Sequence, residues 1–73
     1  MNEINVYDFC QNLYEVSKIK LHLWSRDEKG KEICKHVTLH DKNDRRLFEY
    51  RGYEISLVSV PEKNCIDIVA TNY

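Results

Sequence analysis

The amino-acid sequence predicts a small α+β domain spanning residues 1–73, with one N-terminal helix packed on one face of a four-stranded antiparallel β-meander. Three observations carry that expectation. Apolar residues near the N-terminus recur at helical spacing. Two alternating runs, KIKLHLWS and EICKHVTLH, flank the turn RDEKG, and alternation of period two marks strands. A later pair of apolar runs flanks Pro61-Glu62-Lys63-Asn64.

The helix begins with Asn5 as its N-cap, Asp8 near the positive helix end, and Ile4 and Phe9 placed as a hydrophobic staple. Val6, Phe9, Cys10, Leu13 and Val16 fall on one stripe, with Tyr7 and Tyr14 at its edge. Asp8, Gln11, Asn12 and Glu15 face the other way. So short a helix is unstable alone and needs a sheet to lie on.

The first strand sets Ile19, Leu21 and Leu23 against Lys20, His22 and Trp24. Glu28-Lys29-Gly30 suits a three-residue hairpin loop with Gly30 at the left-handed position. That loop pairs Asp27 with Lys31, Arg26 with Glu32, Leu21 with Val37 and Ile19 with Leu39. A one-residue slip would oppose apolar to polar positions along the whole ladder. The polar segment His40-Asp41-Lys42-Asn43-Asp44-Arg45-Arg46 reads as a connector. The third strand is expected from Leu47 to Val60, with a bulge at Gly52 bringing Phe48, Tyr50, Tyr53, Ile55 and Leu57 to one face. A four-residue loop over Pro61–Asn64 then sets Leu57 opposite Ile68 and Ile55 opposite Ala70. In that register Ser56, Val58 and Val60 join Cys65, Asp67 and Val69 on the face opposite the helix. The last strand is Cys65–Thr71.

Composition narrows the function classes. Hydrophobic residues at 42% and charged residues at 32%, with two Gly and one Pro, fit a folded domain. A core this small stabilises weakly, so a partner or a second copy is expected. Three widely spaced cysteines, no apolar run of membrane-spanning length and an acidic N-terminus without a basic leader point to a cytoplasmic protein. Net charge is −1, but residues 18–51 carry ten Lys/Arg against six Asp/Glu, while both ends are acidic. That balance disfavours strong nonspecific DNA binding.

With a helix on one side only, the other sheet face displays Lys18, Lys20, His22, Trp24, Cys34, His36, Thr38 and His40 on the first hairpin. Partner-binding residues are expected at Lys20, His22, Trp24, His36, Arg45 and Arg46, with Trp24 as the anchor because Trp and Arg dominate interface energetics. The resulting expectation is a non-enzymatic protein-binding module, an inhibitor or adaptor acting by steric occlusion, or pairing with its own copy through the open face. In size and character it resembles the small inhibitors and adaptors that phages and other mobile elements encode. The alternative is a single-stranded nucleic-acid-binding accessory protein, with Trp24 and His22 stacking bases and Lys18, Lys20, Arg45 and Arg46 meeting phosphates. No metal or other cofactor is expected. Cys34, His36 and His22 are zinc-ligand types, but His36 and His40 are about 13 Å apart on a strand. Two isolated glycines cannot form a phosphate loop, and Cys34-x-His36 on an exposed strand has no oxyanion hole, so enzymatic activity is not expected.

Overall fold

The structure is a computed structural model, described here for residues 4–13, 18–41 and 43–73. Its elements, in chain order, are α1 (Val6–Gln11), β1 (Lys18–Arg26), β2 (Glu32–Leu39), α2 (Arg46–Glu49), β3 (Glu54–Glu62) and β4 (Cys65–Thr71). The four strands form one sheet in the order β2-β1-β4-β3. The α+β class is as expected, but the meander is not. The two hairpins are joined through β1 and β4, which run parallel from Lys18↔Cys65 to Trp24↔Thr71. Burial accounts for this order. Ile66, Ile68 and Ala70 of β4 and Ile19, Leu21 and Leu23 of β1 are all buried, whereas β3 is almost wholly exposed. The two most apolar strands take the centre, where covering elements and neighbours shield them most.

The first hairpin has the register that its turn and pattern require. Ile19 pairs with Leu39, Leu21 with Val37, His22 with His36 and Arg26 with Glu32. Gly30 takes φ of 81°, and its N–H donates to the Asp27 carbonyl at 2.9 Å. Asp27 does not form the expected charge pair with Lys31. Its carboxylate instead accepts the backbone N–H groups of Lys29 and Lys31, both at 2.9 Å, and so braces the turn.

Helix α1 is shorter than its apolar stripe suggested. Asn5 caps it as expected, accepting the Asp8 N–H at 2.7 Å. Val6 and Cys10 are fully buried, with Phe9 and Leu13 packed beside them. The expected continuation through Tyr14, Glu15 and Val16 lies outside the described residues. The start of α1 is tied to the sheet: Val6 N–H donates to the Tyr53 carbonyl and Ile55 N–H to the Ile4 carbonyl, each at 2.9 Å.

The expected third strand from Leu47 is replaced at its start by α2. Asp44 accepts the Arg46 N–H at 2.9 Å and opens the turn, and the Tyr50 N–H reaches back to the Leu47 carbonyl at 3.1 Å. Leu47 and Tyr50, three apart, thereby share one helical face and join the core with Val6 and Cys10. Phe48, expected in the core, is 52% exposed, held between the Tyr7 ring edge at 5.4 Å and the Arg51 guanidinium at 4.1 Å. The bulge expected at Gly52 therefore does not exist.

An irregularity occurs instead between Ile55 and Leu57. It leaves Ile55↔Ala70 as expected but pairs Leu57 with Val69 and Val58 with Ile68. Side-chain parity flips at that point: Val58 packs against the core, and Leu57 turns outward and is 61% exposed. The loop is also tighter than expected. β3 continues through Pro61 to Glu62, which pairs with Cys65 around Lys63-Asn64, where Asn64 adopts φ of 62°.

Candidate functional site: the open sheet face

Both helices contribute buried residues to the core. Their buried residues, Val6, Cys10, Leu47 and Tyr50, form a single core with Ile19, Leu21, Leu23, Val37, Leu39, Ile66, Ile68 and Ala70. The alternate residues of the same strands occupy the opposite face, and no described element covers it.

Because β4 neighbours β1, that face is one continuous surface. Four residues form a row across it, His36 (β2), His22 (β1), Val69 (β4) and Leu57 (β3). The row on one side reads Cys34, Trp24, Thr71 and Glu54. The row on the other side reads Thr38, Lys20, Asp67 and Ser59. A meander would have placed β1 and β4 at opposite edges, with β2 and β3 between them. The parallel pair instead sets the cationic and aromatic residues of the first hairpin directly against the apolar and acidic residues of the second.

Lys20, His22 and Trp24 are half-buried and His36 is exposed. The His22 and His36 rings meet edge to face with centroids 4.9 Å apart, and Cys34 Sγ lies 3.7 Å from His36 Nε2. Among the described residues, no group of three or more His, Cys, Asp or Glu side chains converges on a metal position. One feature of the face had no sequence signal. Asp67 Oδ1 is shut off from solvent and has no hydrogen-bond partner, although Lys20 stands beside it in the parallel ladder. Buried polar atoms without partners are rare in native proteins, because each forfeits its hydration. Cys65, expected on the open face, is buried.

Trp24 is positioned by its backbone as well as its strand. Its carbonyl accepts the Asn72 N–H at 3.1 Å, extending the β1–β4 ladder past Thr71. One residue on, Tyr73 stacks under the Arg26 guanidinium at 4.5 Å, and its hydroxyl donates to Glu32 at 3.3 Å. Partial desolvation and then the Glu32 carboxylate push the Tyr73 hydroxyl above its ordinary pKa.

Arg45 and Arg46 do not belong to this face. They sit at the start of α2, on the helix side. Arg46 is locked to Asp44, Nε to Oδ1 at 3.2 Å and an Nη to Oδ2 at 3.1 Å, and also reaches the Thr38 carbonyl at 3.5 Å. That side-chain pairing, with the backbone Arg46 N–H, holds the Asp44 carboxyl below its usual range. Arg45 lines a separate cleft of about 410 Å³ with Tyr7, Gln11, Asn43, Asp44 and Phe48. The sequence groups the two arginines with the patch around Trp24, although they belong to the polar connector ahead of residue 47. The helical turn carries them away instead.

Comparison with protein-family models, with curated proteins and with solved structures gave no match. Function therefore has to be argued from the face itself. Among the described residues no helix is long and apolar enough to cross a membrane.

Proposed function

We propose that this chain is a non-enzymatic protein-binding module, an inhibitor or adaptor that docks through its open sheet face and acts by steric occlusion of its partner. One observation carries the reading: Trp24, Val69 and Leu57 share one continuous sheet face with Lys18, Lys20, His22, His36 and Asp67, so apolar and charged groups are interleaved on a surface that no described element covers. Apolar patches bordered by polar groups are typical of interaction surfaces. Trp24 supplies the anchor, with Lys20, His22 and His36 setting orientation and specificity. The displacement of Arg45 and Arg46 removes two of the four cations on which a single-stranded nucleic-acid reading depends, so protein is the favoured partner class.

Affinity capture from lysate, with and without nuclease, tests the reading. A polypeptide retained after nuclease by the wild type and lost with Trp24→Ala is the expected result. Retention that disappears with nuclease would assign the face to nucleic acid instead.

A further inference from the structure

The face has a symmetry that names its partner. β1 and β4 are its two central strands, parallel and in register, with Lys20 beside Asp67, His22 beside Val69 and Trp24 beside Thr71. Consider a second copy laid face to face, related by a two-fold axis that runs along the strands midway between β1 and β4. The rotation exchanges β1 and β4 while preserving strand direction and level along the sheet. β1 of each copy then lies over β4 of the other. Lys20 comes over the partner's Asp67 and Asp67 under the partner's Lys20, so two reciprocal ion pairs form about the axis. In the next row His22 meets Val69, and His36 of the outer strand meets the exposed Leu57. Sheets packed face to face lie about 10 Å apart, a gap that a lysine reaching for an aspartate can span.

We propose that the open face is an isologous dimer interface, in which the Lys20 ammonium of one copy pairs with the Asp67 carboxylate of the other. The inference rests on reading the open face as a docking surface, and it assigns that surface a second copy of this chain. Two independent features support it. The cationic half of the face is complementary to the acidic and apolar half of the same face. Lys20 and Asp67 stand side by side at one level of the two central strands, so the rotation sets each over its opposite charge. Small domains with one uncovered sheet face gain most from such an arrangement.

Charge reversal with mixing tests it by sedimentation equilibrium. The wild type is expected to move from 8.8 kDa towards twice that mass as concentration rises. The emission of Trp24, the single tryptophan, is expected to shift to the blue over the same range. Lys20→Asp and Asp67→Lys should each be monomeric, because each sets like charges across the axis. An equimolar mixture of the two restores both pairs in trans and should recover the dimer mass. Should either variant fail to fold, the wild-type mass and emission series still decide the outcome. A wild type that stays at 8.8 kDa to millimolar concentration overturns the proposal, while the docking reading then stands or falls on lysate capture. A wild-type dimer whose two variants do not rescue each other also overturns it, since Asp67 would then pair only with its own Lys20.

Discussion

Asn5, Gly30 and Asn64 do in the structure what their residue types favour: one caps α1, and two take left-handed backbone at turns. Each acts through its own dihedrals and nearest amides, which is why a single sequence suffices to place them. Asp67 differs, because its unpaired oxygen depends on which strand lies beside β4. Three predictions belong to this scale. Burial raises the Cys10 thiol to about 11, so its thiolate at neutral pH is about 100-fold scarcer than for a thiol at 9.0. Iodoacetamide should therefore modify half-buried Cys34 first and Cys10 only on unfolding, as peptide mass mapping would show. The same shift makes a pH prediction. A raised folded-state value contributes stability that is complete below about 9 and is lost as pH rises towards about 11. Urea midpoints at pH 7 and pH 11 should accordingly fall further for the wild type than for Cys10→Ala. Separately, an NMR titration should find Asp44 below the ordinary carboxylate range in the wild type and returned towards it in Arg46→Gln.

Among the elements, the register of the β1–β2 hairpin was legible because turn chemistry and apolar alternation select it together, although the Asp27 carboxylate binds backbone amides rather than the Lys31 ammonium. Residues 47–50 were not. Phe48 and Tyr50 are spaced as on a strand, Leu47 and Tyr50 as on a helix, and four residues cannot decide between the two periods. Tertiary packing decides it, by burying Leu47 completely and leaving Phe48 outside. Similarly, the irregularity at Ile55–Leu57 has neither Gly nor Pro to announce it. Leu47→Ala should cost about 2–5 kcal/mol in chemical denaturation, the range for buried leucines. Phe48→Ala should cost far less, whereas a β-strand over residues 47–50 would reverse the two, burying Phe48 and turning Leu47 outward. Gly30→Ala meets no steric obstacle, since nothing lies within 4 Å of the added carbon, but it must adopt φ of 81°. A loss of about 1–2 kcal/mol is expected from backbone strain alone. Gly52, where φ is not positive, should accept Ala with little change.

For the molecule as a whole, the sequence predicted a small α+β fold with a four-stranded sheet, and that outcome holds. Strand order was not legible, because nothing in either hairpin's local sequence says which edge receives the other. The order follows from burying β1 and β4 together, a long-range contact that alternation cannot encode. It has a consequence for dynamics: amide exchange should be slowest in β1 and β4 and faster in the edge strands β2 and β3. An antiparallel meander would instead protect β2 and β3 best. The same order joins the two halves of the open face, and on that junction the functional reading depends. The most direct test is capture of a nuclease-resistant partner by face variants and back-side variants measured side by side. Trp24→Ala should weaken retention by about 2 kcal/mol or more, roughly 30-fold, as hot-spot tryptophans do. Arg45→Ala and Phe48→Ala, on the helix side, should leave it unchanged. Retention that survives Trp24→Ala and is lost with Arg45→Ala or Phe48→Ala would contradict the account and move the docking surface to the helix layer.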